Sequence, residues 1–251
     1  MILWREKVRA FAIHFVATLA VALVAAALIF FVWYPDPFQR MLGGLQLFLL
    51  VAGCDLALGP LVSFVIYSSK KKRRALIFDY TVVGIVQVAA FVYGVYSVSQ
   101  SRPAYVAFVK DRIEVISAGE IAERDYEEAR GSKYAQPPFS GPAHVAAHVP
   151  PQERNEVLWA SLEGRDIGVR PKFYVDYSSQ REAIQKQIRP VSELLERHPK
   201  SRALVEKSLQ DLDRAEGDLG WLPVKHAKGF WTAVMDKHSA EPVKYLPIDP
   251  Y

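Results

Sequence analysis

Residues 70–74 read Lys70-Lys71-Lys72-Arg73-Arg74 and lie between two long apolar stretches. With a third stretch near the N-terminus, the apolar segments cover about residues 10–33, 45–67 and 76–98. About 20 residues of α-helix are enough to cross the hydrocarbon core of a bilayer, and each segment exceeds that length. Because lipid offers no partners to backbone amides and carbonyls, a crossing segment has to be helical. The sequence therefore predicts a membrane protein with three transmembrane α-helices in residues 1–100.

The charges that flank these segments predict their orientation. Short loops rich in Lys and Arg remain in the cytoplasm, which places residues 70–74 there. The N-terminus is also basic, with Arg5, Lys7 and Arg9. We therefore expect a multi-pass protein of the bacterial inner membrane with a cytoplasmic N-terminus and a periplasmic domain formed by residues 101–251. The alternative for the first segment is a cleaved signal peptide, but its apolar run is too long and lacks a small-x-small cleavage site.

The distribution of charge argues against a nucleic-acid partner. The chain has a net charge of +4 and a pI near 9.0, values that can indicate binding to nucleic acid. However, residues 1–100 contain nine Lys and Arg against four Asp and Glu, whereas residues 101–251 contain 22 against 23. The basic character thus belongs to the membrane region. The single cysteine, Cys54, lies within the second apolar stretch, so the exported half has no disulfide bond.

The exported half begins with patterns typical of a hairpin and a capped helix. The apolar runs 105–109 and 113–116 flank a short polar turn and predict two antiparallel strands. Ser117 and Glu120 match a capping box, which predicts a helix that reaches about Arg130. Residues 131–149 are rich in Pro and Gly and predict a loop or spacer.

The remaining residues alternate between helical and strand patterns. A helix is expected from Pro151 to Gly164, with a buried stripe formed by Val157, Leu158 and Leu162. Two further helices are expected near residues 179–195 and 204–212, and Pro190 should kink or split the first of them. Strands are predicted at 173–177, 221–226, 230–236 and 243–248. This order of elements predicts an α+β periplasmic domain.

Polar residues within the apolar stretches are the first candidates for function, because ionisable groups are costly in lipid. Asp55 and Gln87 lie near the middle of the second and third stretches and can hydrogen-bond at the same depth. His14 and Asp79 lie closer to the cytoplasmic boundary and form a second candidate pair. Such pairs either join the three helices internally or present a polar face to another membrane segment. A proton or ion path would require a longer relay of such groups.

Small residues surround Asp55 in the second stretch. Gly53, Ala57 and Gly59 allow a neighbouring helix to approach closely, and Pro60 bends the span. That neighbour belongs either to this chain or to a partner.

Sequence motifs for catalysis and metal binding are not evident. His144 and His148 have a spacing found in some zinc sites, but no third ligand lies near them in the sequence. The chain contains neither a nucleophile elbow nor a glycine-rich phosphate loop. We therefore expect no enzymatic activity, no metal and no cofactor.

Several motifs together resemble the TfpX/TfpZ family of type IV pilin accessory proteins. They are Trp33-Tyr34-Pro35, Gly53-Cys54-Asp55-Leu56-Ala57-Leu58-Gly59-Pro60-Leu61, Phe78-Asp79, Val92-Tyr93-Gly94-Val95-Tyr96 and Ser101-Arg102-Pro103-Ala104-Tyr105-Val106. The resemblance covers mainly residues 1–120. It implies an inner-membrane protein that assists a cognate major pilin before or during pilus assembly, without catalysis.

These observations predict a non-enzymatic accessory factor or chaperone, embedded in the lipid bilayer of the inner membrane, that binds its cognate type IV pilin and supports pilin stability or pilus assembly. The residues proposed to recognise the pilin are those on the second and third apolar stretches: Asp55, Gly53, Ala57, Gly59, Pro60 and Gln87. One alternative is a membrane-anchored periplasmic sensor or ligand-binding protein, although the cytoplasmic segments are too short for an output module. Another is a pilin-modifying enzyme such as a glycosyltransferase, which would need an acid–base pair or a metal site.

Overall fold

The structure, a computed structural model, describes residues 2–68, 71–212 and 214–251. Lys70 of the predicted basic loop lies outside the described residues. The chain divides into two compact units, Met1–Ser101 and Arg102–Tyr251. We refer to them as the N-terminal and C-terminal units and describe each by itself.

The helices and strands are numbered in chain order. In the N-terminal unit they are α1 (Ile2–Ala27), which continues into a π-helical turn (Leu28–Trp33), α2 (Phe38–Met41), α3 (Gly44–Ile66) and α4 (Arg73–Ser101). In the C-terminal unit they are β1 (Pro103–Val109), β2 (Arg112–Ser117), α5 (Glu123–Glu128), β3 (Ala143–Ala147), α6 (Arg154–Leu162), β4 (Tyr174–Asp176), α7 (Arg181–Gln185), β5 (Arg189–Pro190), α8 (Val191–Arg197), α9 (Arg202–Gln210), β6 (Leu219–His226), β7 (Gly229–Asp236) and β8 (Pro242–Leu246). Short 3-10 turns occur at Ala118–Glu120, Pro151–Glu153, Ile167–Val169, Pro171–Phe173, Tyr177–Gln180, Pro199–Ser201 and Glu216–Asp218.

Three long apolar helices form the N-terminal unit, as the sequence predicts. By length and composition, α1 with its π-helical turn, α3 and α4 can each cross a membrane. Helix α3 packs against both α1 and α4, whereas α1 and α4 make few direct contacts with each other. The three helices therefore leave an open side between α1 and α4.

Glycines allow the helices to approach one another closely. A Cβ atom on Gly94 of α4 would lie 2.4 Å from a methyl group of Val51 on α3, and one on Gly44 would lie 2.7 Å from the ring of Tyr34. Tyr34 follows the π-helical turn, is fully buried, and donates a hydrogen bond from its hydroxyl group to the carbonyl oxygen of Val98 at 3.0 Å. Close backbone approach at small residues is the usual means of helix association in lipid.

A single mixed sheet organises the C-terminal unit. Its strand order is β4-β3-β1-β2-β6-β7-β8, and β5 also pairs with β6. The hairpin β1–β2 is antiparallel, β1 pairs with β3 in parallel, and β2 pairs with β6 in parallel. All seven residues of β1 are buried, as expected for a strand covered on both faces. The mixed helix and sheet composition confirms the α+β expectation.

Two apolar cores pack against this sheet. One core includes Tyr105, Val145 and Phe173, close to β1, β3 and β4. The other centres on Trp221, which is fully buried beside residues of α8, α9 and β8. The indole nitrogen of Trp221 donates a hydrogen bond to the carbonyl oxygen of Pro190 at 3.1 Å and thereby ties β5 to the second core.

The structure corrects two details of the sequence-based expectations and confirms a third. Residues 131–149 contain β3 and are not only a loop, because pairing with the distant β1 stabilises a segment whose own strand propensity is weak. The capping box of Ser117 and Glu120 is present, but it closes a 3-10 turn and the helix α5 begins separately. The expected break at Pro190 is confirmed, because the predicted helix at 179–195 is split there into α7 and α8.

Helix α6 buries a different stripe from the expected one. Val157 is buried together with Ala160, whereas Leu158 and Leu162 are 61% and 74% exposed. A helix of this length can bury one narrow stripe of residues three positions apart, and the two leucines lie outside it. With Trp159, which is 67% exposed, they form an apolar surface on the C-terminal unit.

Candidate functional site

A cavity of about 260 Å³ lies in the N-terminal unit where α1, α3 and α4 face one another. Its polar lining consists of His14, Thr18, Asp55 and Gln87, and its remaining lining residues are Ala17, Val21, Ala22, Ala52, Gly84, Val88 and Phe91. Val21 of α1 and Val88 of α4 are 52% and 63% exposed. The cavity therefore opens to the outside of the unit on the side between α1 and α4. We call this space the interhelical cavity.

Asp55 of α3 is the acidic group of the interhelical cavity. Its side chain is half-buried, and within the described residues it forms no hydrogen bond and no ion pair. Gln87 of α4 lines the same cavity, but the expected hydrogen bond between the two side chains is not formed. Asp55 and Gln87 line the same cavity, which agrees with the prediction that they lie at the same depth in the membrane. The unpaired carboxyl group of Asp55 does not agree with a role in joining the three helices internally.

The side chain of Gln87 lies against Gly59 of α3. A Cβ atom on Gly59 would lie 2.0 Å from the side-chain nitrogen of Gln87 and 3.1 Å from a ring nitrogen of His14. Because Gly59 has no side chain, side chains from both α1 and α4 can pack against the backbone of α3 at this point. Gly59 and the following Pro60 are buried. The neighbour that Gly59 accommodates therefore belongs to this chain.

His14 and Asp79 do not form the expected pair. His14 hydrogen-bonds through Nδ1 to the hydroxyl group of Ser63, which is fully buried on α3. Asp79 accepts a hydrogen bond from Lys71 at 2.7 Å. The prediction of a direct contact is wrong because each side chain has a closer partner, one on the packed face of α3 and one at the start of α4.

Gly53 and Ala57 lie on the outer side of α3 and not beside Asp55. Both are exposed, and a Cβ atom on Gly53 would meet no atom within 4 Å. Residues two positions apart on an α-helix differ in direction by about 200°, so Gly53 and Ala57 point away from the side that carries Asp55. Of the six residues predicted to recognise the pilin, only Asp55 and Gln87 line the interhelical cavity.

Gly84, Ala17 and Thr18 are cavity residues that the sequence analysis did not select. They line the open side on α4 and α1, and a Cβ atom on Gly84 would meet no atom within 4 Å. The sequence feature that could have indicated this part of the site is a glycine within an apolar helical stretch, since small residues permit another helix to approach. The open side therefore combines small residues at its walls with a carboxyl group at its floor.

Comparison with known proteins identifies the family. The model of the fimbrial assembly protein FimB matches residues 2–43, a segment that includes α1 and Tyr34. A fimbrial assembly protein of serogroup I from Dichelobacter nodosus is 34% identical over 230 residues, which are 90% of this chain and 89% of that protein. The chain belongs to the fimbrial assembly protein family.

Other family members support the same assignment. The fimbrial assembly protein of serogroup E1 from Dichelobacter nodosus is 33% identical over the same shares of both chains. The protein of serogroups C1 and C2 is 41% identical over 109 residues, which are 43% of this chain and 83% of that protein. No solved structure matches the chain. These fimbrial assembly proteins are bacterial, and their names indicate a role in the formation of fimbriae.

In this fimbrial assembly protein the C-terminal unit contains a network of ion pairs. Arg170 is 1% exposed and binds Glu128 at 3.0 Å and also Glu156, while Arg165 binds Glu128 at 2.8 Å and also Asp125. The network joins α5, α6 and the chain segment that leads to β4. Arg170 makes both carboxylate contacts through one terminal nitrogen, while its Nε and Nη1 atoms are buried without a hydrogen-bond partner among the described residues. Because the contacts join separate segments of the unit, a structural role explains the network.

The pKa of Glu128 makes the stability of the C-terminal unit depend on pH. Burial alone would raise this pKa, but hydrogen bonds from Arg165 and Arg170 outweigh it and lower the pKa from 4.5 to about 2. A lowered pKa stabilises the fold above pH 4.5, and we expect this contribution to disappear as the pH falls from 4.5 towards 2. Urea unfolding of the full chain in detergent measures it. Glu128→Gln should make the free energy of unfolding less dependent on pH between 4.5 and 2. Glu196→Gln, at an exposed position, is the control and should leave that dependence unchanged. If Glu128→Gln also leaves it unchanged, the pKa of Glu128 does not cause it.

The histidines that were considered as metal ligands are well separated. His144 belongs to β3 and lies beside the ring of Tyr177, whereas His148 follows the strand. Four residues of extended chain span about 13 Å, which is too far for two ligands of one ion. Within the described residues, no group of three His, Cys, Asp or Glu side chains could hold a metal. The absence of catalysis stays a prediction.

Proposed function

We propose that this fimbrial assembly protein is a non-enzymatic accessory factor, or chaperone, for a type IV pilin, as its resemblance to the TfpX/TfpZ family implies. The proposal places it in the inner membrane and assigns recognition of the pilin's apolar helix to the open side between α1 and α4. The observation that carries the proposal is Asp55, a carboxyl group on the floor of an open cavity without a partner among the described residues.

The solvent around the N-terminal unit in the proposed location is lipid. Lipid tails are as apolar as leucine, so helices in a bilayer associate through close packing and polar contacts. An Asp near the centre of a single span costs about 2.5–3.5 kcal/mol of insertion free energy. A fourth helix that donates a hydrogen bond or an amine to Asp55 would offset this cost. The small residues Ala17 and Gly84 leave room for such a helix on the open side.

Substitution of Gly84 by Leu tests the site by filling it. The bundle should accept Gly84→Leu, because a Cβ atom at this position meets no atom within 4 Å. The added side chain would occupy the space intended for the partner helix, so we expect co-purification of pilin from detergent to fall at least fivefold. Gly53→Leu is the matched control, since Gly53 has equal free space but lies on the outer side of α3. Equal pilin recovery with both variants would refute the open side as the binding surface.

The orientation of the protein is part of the proposal. A reporter that is active only in the periplasm should work when fused after Tyr251, and one active only in the cytoplasm should work when inserted at Lys72. Replacement of residues 70–74 by neutral residues should weaken this orientation, because positive charge holds short loops in the cytoplasm. The opposite pattern of reporter activity would contradict the assignment of the C-terminal unit to the periplasm.

A further inference from the structure

Two adjoining cavities form a groove on the C-terminal unit. The first, of about 580 Å³, lies where the parallel strands β1 and β3 end, next to α6. The second, of about 680 Å³, continues along the segment that contains α7. The two cavities share Lys110, Gln180 and Ala183, so they form one continuous depression. We call it the α6–α7 groove, and its size is that of a ligand or peptide site.

The groove has an apolar part whose floor is buried and whose border, at Leu158, is exposed. Phe108, Val157 and Ile167 contribute apolar atoms from β1, α6 and the following turn. Leu158 lines the same part and is 61% exposed, so its side chain stands at the border between groove and surface. An exposed apolar lining of this kind can receive an apolar side chain from a partner.

Unpaired positive charge lines both cavities of the groove. Lys110 and Arg154 line the first cavity, and Arg181 and Lys186 line the second. None of the four forms an ion pair within the described part of the chain. The acidic groups of the groove do not balance them. Asp166 already accepts a hydrogen bond from the amide of Ile167 at 2.8 Å and faces Arg112, which leaves Glu182 as the remaining carboxylate of the lining.

We propose that the α6–α7 groove binds an extended acidic segment of the pilin, with an apolar side chain on its floor and carboxylates against Lys110 and the neighbouring arginines. The proposal rests on the proposed function and adds a second contact to it, in the C-terminal unit. The charge of the groove argues for this occupant, since four unpaired cations along the groove, two of them beside its apolar floor, complement a segment that carries both carboxylates and an apolar residue. When one pilin contact has formed, the second occurs at a high effective concentration, so two weak contacts with the same pilin give a higher overall affinity than either contact alone.

Photo-crosslinking in cells tests this contact in the full-length protein. Benzoylphenylalanine replaces either Leu158 in the groove or Val88 at the open side of the helices, and the probe is the pilin expressed in the same cells. Both positions are exposed and already carry large apolar side chains, so the fold should tolerate the change. We expect crosslinks to pilin from both positions. Crosslinks from Val88 without any from Leu158 would overturn the groove and leave the proposed function intact, whereas no crosslink from either position would overturn both.

Charge reversal tests the acidic character of the segment. In the Leu158 crosslinking background, Lys110→Glu combined with Arg181→Glu should lower the crosslink yield at least threefold. Lys207→Glu, at an exposed and unpaired position on α9, is the matched control and should leave the yield unchanged. Lys110→Gly removes one charge without strain, because Lys110 has a φ of 57°, which glycine adopts readily. Yields unaffected by the double reversal would overturn the proposal of an acidic segment.

Discussion

Asp55→Leu is expected to lower the co-purification of pilin with the detergent-solubilised protein by roughly ten- to a hundredfold. A hydrogen bond to a charged group contributes about 1.5–3 kcal/mol, and each 1.4 kcal/mol is a tenfold change in affinity. The variant should insert and fold at least as well as the natural protein, because it removes a carboxyl group that has no partner among the described residues. Recovery of pilin per amount of accessory protein is the measurement.

A second variant and two contrary outcomes complete this experiment. Asp55→Asn keeps a hydrogen-bonding group of the same size and should retain an intermediate amount of pilin. If Asp55→Leu instead loses stability by itself, then Asp55 joins the three helices internally. A stable Asp55→Leu protein that keeps its pilin would locate recognition outside the interhelical cavity.

Trp221→Ala is expected to lower the free energy of unfolding of the C-terminal unit by about 3–5 kcal/mol, the usual cost of truncating a buried Trp. Trp221 is fully buried in the core next to α8 and α9 and also binds the carbonyl oxygen of Pro190. Single domains are stable by only about 5–15 kcal/mol, so the loss is large. Proteolysis of the full-length protein at increasing urea concentration measures it.

Trp159→Ala is the matched control for this prediction. Trp159 is 67% exposed on α6, so its truncation should change the free energy of unfolding by no more than about 0.5 kcal/mol. Equal destabilisation by the two substitutions would show that the core described around Trp221 does not stabilise the unit.

The long helices and the hairpin were predictable because local rules decide them. Length and apolar composition are sufficient to indicate α1, α3 and α4, since lipid excludes other backbone conformations. The hairpin turn predicted around Lys110-Asp111-Arg112 follows equally from neighbouring residues, and β1 and β2 pair as expected, with the turn formed by residues 110–111. By contrast, β3 depends on pairing with β1 from more than 30 residues away, and its sequence Ala143-His144-Val145-Ala146-Ala147 has little strand propensity of its own.

The candidate site was predictable in part. Asp55 and Gln87 are conspicuous within apolar segments, and the structure places both at one cavity. Helical geometry already separates Gly53 and Ala57 from Asp55, a point that spacing alone could have shown. The open side between α1 and α4 could not be derived in this way, because it depends on which helices pack together. The same holds for the α6–α7 groove, whose lining residues come from five separate segments.

The open side between α1 and α4 also determines what an incoming pilin helix, the proposed client, would have to displace. In a bilayer such a space is filled by acyl chains, so arrival of a helix is an exchange and not the occupation of a void. Apolar packing against the client is then nearly as favourable as the packing against lipid that it replaces. The difference in free energy between the occupied and the lipid-filled state would therefore depend on a few polar atoms at the floor of the interhelical cavity, chiefly the carboxyl group of Asp55. In the proposed function, departure of the pilin helix is the same exchange in reverse, with lipid refilling the space.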